Sequence, residues 1–109
     1  MTTFIMLTKV SPEAMRSPHA VETLERQAMN AVRSECPQVE WLDSWAVLGP
    51  YDYVDVFRAP DVAAATKVAM LVRIAGHATT EIWPATEWST FKAMVRQLPE
   101  VSGLVASAV

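Results

Sequence analysis

Trp45-Ala-Val-Leu-Gly-Pro-Tyr-Asp-Tyr-Val-Asp-Val-Phe-Arg-Ala-Pro-Asp61 is the stretch that decides the fold. Two runs rich in β-branched and aromatic residues flank Gly49-Pro50-Tyr51-Asp52, where Gly and Pro punctuate a turn. That pattern reads as a hairpin at the centre of a sheet. The first run begins near Val39 and reaches Leu48; the second spans 52–58 and stops at Ala59-Pro60.

Working outward, Asp61 closes the hairpin and caps a helix from Val62 to about Ala75, with Gly76 expected at a left-handed stop. This helix is apolar around most of its circumference, the mark of a helix covered on more than one side. Residues 78–83 follow as a strand ended by Pro84, and Thr86 caps a last helix carrying Trp88, Phe91, Val95 and Leu98 at helical spacing. Upstream, residues 3–8 form a short apolar strand buried on both faces. Ser11-Pro12 starts a helical turn, and Ser17-Pro18 starts a helix that continues to Pro37, with Val21, Leu24, Ala28, Ala31 and Val32 as its apolar stripe. Glu22 and Arg26 form an exposed i,i+4 pair on it. The order β-α-β-β-α-β plus a terminal helix is the ferredoxin-like α+β arrangement, with an antiparallel four-stranded sheet and two helices on one face. The domain is expected over residues 1–98, with 99–109 as a C-terminal tail.

The chain has 109 residues, the size of one domain. Its net charge of −3 argues against a nucleic-acid partner. Lys and Arg are scattered, so no basic run meets anionic lipid, and no apolar run approaches a membrane span. Met1-Thr2-Thr3 leads straight into an apolar strand without the features of a signal peptide, and Cys36 stands alone, so a reduced cytoplasmic setting is expected. Hydrophobic residues make up 51% of the chain and charged ones 19%. That excess calls for a cover, and a second copy of the chain is the natural one.

Alternation along the strands sorts the residues into two faces. Leu42, Ala46, Leu48, Val54, Val56, Ala78 and Ile82 suit a face under helices. The opposite face would then carry Trp41, Asp43, Trp45 and Val47, with Tyr53, Asp55 and Phe57, and with His77, Thr79, Glu81 and Trp83. It is too aromatic for water, yet it holds carboxylates that a dry core rejects. Two such sheets laid together, a dimeric α/β barrel with a partly polar lumen, resolve the conflict. A single bulge would reverse the assignment beyond it.

The segment from Leu48 to Asp61, the alanine-rich helix after it, and Gly76-His-Ala-Thr-Thr-Glu-Ile-Trp-Pro-Ala-Thr-Glu-Trp88 resemble the GYD-domain family, named for a Gly, Tyr and Asp at this turn. The likeness runs over roughly residues 3–98. It implies membership of the dimeric α/β barrels, a group that includes ligand-sensing domains, muconolactone-type isomerases, cofactor-free monooxygenases and some haem proteins. The family brings no established reaction, and fold does not fix function.

The candidate ligand-binding residues are Trp45, Tyr51, Asp52, Tyr53, Asp55, His77, Glu81 and Trp83. Asp52 either bonds to nearby backbone amides, as turn aspartates do, or rims a pocket mouth with Tyr51. His77 reads as a hydrogen-bonded residue at an element end or as a general base. Glu81 shares its strand four residues on, roughly 13 Å away, too far to chelate one metal with it. Asp55 is the interior carboxylate, either ion-paired to Arg58 or Arg73 or acting as an acid. His19, Cys36 and His77 share no metal-ligand spacing, and no nucleophilic triad or phosphate loop is present. No cofactor is expected. The leading expectation is an oligomer binding a small apolar or aromatic molecule in the barrel lumen. The rivals are a cofactor-independent isomerase or monooxygenase using His77, Asp55 or Glu81, and a purely structural assembly protein.

Overall fold

Strand β1 (Thr2–Val10) lies between β3 (Tyr53–Ala59) and β4 (Ala78–Ala85), and β2 (Glu40–Ala46) completes the antiparallel sheet in the order β2-β3-β1-β4. This is the ferredoxin-like arrangement expected from the element order. The computed structural model describes residues 1–100; of the tail, 101–109 lie outside the described residues. Helices α1 (Pro18–Glu35) and α2 (Val62–Gly76) pack side by side on one face, and α3 (Trp88–Arg96) follows β4.

Local chemistry accounts for most element ends. Ser11 Oγ accepts from the Ala14 amide at 3.3 Å, opening a single 3-10 turn over Ala14–Arg16. Asp61 Oδ1 accepts from the Ala64 amide at 2.8 Å and caps α2. Glu22 and Arg26 pair at 3.3 Å, as their spacing requires. Four sequence expectations need correction. Ser17 holds the N-cap position of α1, but its hydroxyl makes no capping bond; its carbonyl instead accepts from Ala20 and Val21. The left-handed residue after α2 is His77, at φ 50°, while Gly76 is the last helical residue. Strand β4 continues through Pro84 to Ala85. The N-cap of α3 is Glu87 rather than Thr86, and it too makes no side-chain cap.

The register gives the two faces directly. Trp41–Phe57–Phe4–Pro84, Ser44–Asp55–Met6–Ile82 and Ala46–Tyr53–Thr8–Thr80 are rows on the helix-covered face. Glu40–Arg58–Thr3–Ala85, Asp43–Val56–Ile5–Trp83 and Trp45–Val54–Leu7–Glu81 are rows on the open face. The core is built on the first set: Phe4 and Phe57 stack at 5.7 Å, and Trp41 stacks on Phe57 at 5.4 Å. Val68 and Ala65 of α2 and Ala28 and Val32 of α1 close over them.

Strand β3 therefore faces the other way from the alternation reading, and β2 departs from it at its start. A register shift between Trp41 and Asp43 leaves Leu42 unpaired and turns Trp41 inward while Asp43 and Trp45 stay outward. On β3, Tyr53, Asp55 and Phe57 lie beneath the helices, and Val54 and Val56 face outward. Phe57 and Ala59 are fully buried, and their burial outweighs the cost of bringing Asp55 inside with them. Leu48, placed under helices by alternation, is fully exposed in the turn after β2. Ala46, Ala78 and Ile82 lie on the helix-covered face and Thr79, Glu81 and Trp83 on the open face, as expected.

Candidate functional site

The turn before β3 sets the register that builds the site. Asp52 donates its backbone N–H to the Thr8 carbonyl at 2.8 Å, and its Oδ2 accepts from the Val10 N–H at 2.8 Å. Asp52 is thus a turn residue that locks the hairpin onto the end of β1. With that lock in place, Tyr53 falls opposite Thr8 and Asp55 opposite Met6.

Beneath the helices these residues face a cavity of about 300 Å³, between α1 and the sheet. Its walls are mainly apolar: Met6 and Val10 from β1, Val21, Leu24 and Ala28 from α1, and Val72 from α2. Trp41 and Ser44 border it on the β2 side. At Gly76 a Cβ would stand 3.7 Å from Ala28, so α1 and α2 approach closely along this wall. The volume lies at the lower end of the range for small-molecule sites.

Polar groups gather at the sheet side of the cavity. Thr8 is 3% exposed, and its Oγ1 has no hydrogen-bond partner among the described residues. Such a hydroxyl is costly, because nothing replaces the water it lost. Asp55 is half-buried, and burial pushes its carboxyl above the usual aspartate range; the Ser44 hydroxyl opposes this and the charge of Glu25 adds to it. Ser44 in turn accepts from the Trp41 indole N–H at 2.8 Å. Burial, and then the charges of Asp52, Glu25 and Asp55, raise the Tyr53 phenol. Among the described residues neither Asp55 nor Glu25 has a cation within 4 Å; the ion pairs are Arg26–Glu22, Arg58–Glu87 and Lys67–Glu35. The expected pairing of Asp55 with Arg58 or Arg73 is not formed. Arg58 lies on the open face with Glu87, at 2.8 Å. Arg73 donates to Thr80 Oγ1 at 2.8 Å and to the Thr80 carbonyl at 2.7 Å.

The open face holds a second group of the expected residues. Tyr51 donates to Glu81 Oε2, and the Trp83 indole N–H donates to Glu81 Oε1 at 3.0 Å. These two donors hold the Glu81 carboxyl below its ordinary range, and the bond to Glu81, with burial, raises the Tyr51 phenol. Since Tyr51 precedes β3 and Glu81 is on β4, the tyrosine bridges β1. His77 belongs to neither group. It is exposed beside Lys9, Ser11, Glu13 and Arg73 in a shallow groove at the end of the sheet.

The eight sequence candidates are therefore split. Tyr53 and Asp55 meet at the cavity, Tyr51, Glu81 and Trp83 meet on the open face with Trp45 on the same side, Asp52 is in the turn, and His77 is at the sheet end. Asp55 and Glu81 pair with the adjacent residues Met6 and Leu7 of β1, so they lie on opposite faces. One substrate cannot be shared by Asp55, Glu81 and His77. The sequence reading missed Thr8, Ser44, Glu25 and Arg33, which also line the cavity. Only Thr8 left a trace, as a hydroxyl closing the apolar run Phe4-Ile-Met-Leu-Thr8. Among the described residues no three His, Cys, Asp or Glu side chains converge on a metal position, and no helix is long and apolar enough to cross a membrane.

The profile of the GYD domain matches residues 4–95, covering all of the sheet but Thr2 and Thr3, both covering helices and most of α3. The chain belongs to the GYD domain family. Its fold is similar to that of the Mycobacterium tuberculosis leucine response regulatory protein LrpA, at 15% identity and a TM-score of 0.53, over 79% of this chain and 51% of that one. The GYD chain is also similar to the TTHA0845 protein of Thermus thermophilus, at 25% identity and a TM-score of 0.53, over 80% of this chain and 95% of that one. A feast or famine regulatory protein of M. tuberculosis, solved with L-methionine, matches with 15% identity and a TM-score of 0.54, over 80% of this chain and 51% of that one. The GYD chain thus spans about half the length of the two regulatory proteins. No curated protein matches its sequence at a significant level.

Proposed function

We propose that this GYD domain is a small-ligand-binding module whose site is the cavity between α1 and the sheet. The observation that carries the reading is the Thr8 hydroxyl, buried without a partner at the wall of an apolar cavity. A fold retains such a group at a cost unless something else completes its hydrogen bonding. The ligand is small, with an apolar or aromatic body against Leu24, Ala28 and Trp41 and a polar end toward Thr8 and Asp55. The L-methionine complex of the feast or famine protein supports the idea that this fold can serve a small molecule.

The open face supports a second element of the proposal, a homodimer. Trp45 and Trp83 are 52% and 47% exposed there, around Ile5, Leu7, Val54 and Val56. Helix α3 is amphipathic yet has no buried residue; Trp88 and Phe91 stack on each other at 5.2 Å in solvent. A helix this short gains its stability from packing rather than from propensity. A second copy, sheet against sheet, covers these apolar surfaces by one two-fold interface.

Amide chemical-shift mapping tests both parts, with 2-phenylethylamine and 2-phenylethanol as probes. Shifts centred on Thr8, Leu24, Ala28 and Asp55, lost in Leu24→Trp, support the cavity. Shifts centred on Val54, Val56 and Glu81 return the ligand to the lumen between sheets. Sedimentation at micromolar concentration should show a dimer that Val56→Glu dissociates; a monomeric parent protein overturns the dimer.

A further inference from the structure

Resting on that reading of the cavity, we infer that its ligand is a small organic amine, bound as the ammonium ion with its charged end at Asp55 and Thr8. Three observations point the same way.

The first is charge. Asp55 and Glu25 both line the cavity, and among the described residues neither has a cation within 4 Å. The Glu25 charge is felt at Asp55, where it disfavours ionisation alongside burial. A bound cation would relieve both effects at once, since an opposite charge at hydrogen-bond distance favours the carboxylate. Glu25 is exposed at the rim and Asp55 half-buried; Arg33, the one basic residue on the wall, is also exposed and stands two helical turns beyond Glu25, about 12 Å along the axis.

The second is hydrogen bonding. An ammonium carries three donors and no acceptor. The Asp55 carboxylate and the Thr8 hydroxyl are acceptors on one side of the cavity, in adjacent rows of the sheet, and the buried Thr8 oxygen has no partner among the described residues. An anionic ligand would meet two carboxylates and could use Thr8 only as a donor.

The third is the wall itself. Trp41 and Tyr53, both on the helix-covered face, border the same space. Aromatic faces attract ammonium ions as well as apolar carbon, and more strongly when water is excluded. At about 300 Å³ the cavity admits one ring with a short alkyl arm.

The test compares isosteres by calorimetry on the full chain at neutral pH: 2-phenylethylamine, 2-phenylethanol and 3-phenylpropionate. The expected order is amine over alcohol by at least tenfold, with the carboxylate weakest. Asp55→Asn should weaken the amine by tenfold or more and change alcohol binding less than threefold. Thr8→Val should weaken the amine severalfold. Equal affinity for amine and alcohol, or preference for the carboxylate, overturns the amine assignment while leaving the cavity as a ligand site. Failure of all three probes to bind overturns the cavity reading as well. Should Asp55→Asn not fold, the three-ligand order on the parent protein still decides.

Discussion

Replacing Thr8 by valine separates a hydroxyl kept for packing from one kept for a ligand. The two side chains are both β-branched and similar in shape, so strand geometry at the centre of the sheet is retained. In the ligand-free protein Thr8 is 3% exposed and its Oγ1 is unpaired. Leaving a buried polar group unsatisfied costs about 1–3 kcal/mol, and the added methyl group gains apolar burial. Part of this is offset by the room the cavity gives neighbouring groups to relax. Thr8→Val should therefore stabilise the ligand-free protein by about 1–2 kcal/mol. In urea that is a rise in midpoint of roughly 0.5–1 M, for a slope near 2 kcal/mol/M. The comparison must be made at one protein concentration, since association contributes to apparent stability. Most substitutions in a core are destabilising, so a gain here is a demanding outcome. A midpoint that falls, or does not move, would show that ordered water already satisfies the hydroxyl, and the argument for a retained polar end would collapse.

Three further outcomes follow from the same geometry. Phe57→Ala removes a fully buried ring stacked on Phe4 and Trp41 and should cost about 3–5 kcal/mol by chemical denaturation, with Val56→Ala well below it; the reverse order would contradict the register on β3. Burial raises the Asp55 pKa, so the folded state holds this proton more tightly than the unfolded chain, and stability falls as pH rises through the window from the ordinary value of about 3.9 up to the raised one. Asp55→Asn should accordingly stabilise the ligand-free protein at pH 7 and have little effect below that window; a uniform effect across pH by thermal melts would exclude this origin. His77→Gly relieves the left-handed conformation at φ 50° and should stabilise by up to about 1 kcal/mol, less than the full strain because glycine is freer when unfolded; a loss of stability would mean that the side chain makes a compensating contact.

The element order, the hairpin, the Asp61 cap and the sheet topology were legible in the sequence because each depends on local chemistry or on connection rules. The GYD stretch was legible too, and the backbone-bonding role of Asp52 was one of its two readings there. The faces were not. Period-two alternation is unambiguous only while register is unbroken, and the shift at Leu42 leaves no signature that a generic apolar residue would lack. On β3 the error had a different cause. Val54-Asp55-Val56 suggests valines inward and aspartate outward, and the deciding weight lies two residues on, in Phe57 and Ala59. The cavity was illegible for a third reason: its wall combines α1, β1, β2 and β3, and no local spacing brings Glu25 toward Asp55 or leaves Thr8 without a partner.

Strand β1 shows how one small domain could carry both the proposed ligand site and the proposed assembly surface. Met6 and Thr8 point into the space beneath the helices, while Ile5 and Leu7, their immediate neighbours, point to the open face. The polar requirement of the proposed ligand end and the apolar requirement of the proposed interface would thus be met within four consecutive residues, separated only by the pleat. Asp52 ties the two together, since its bonds to Thr8 and Val10 fix the register that sets Tyr53 and Asp55 inward and Val54 outward. Tyr51, next to it, reaches across the open face to Glu81. The same short turn thus serves both sides of the sheet, fixing the inward set through Asp52 and bracing the open face through Tyr51.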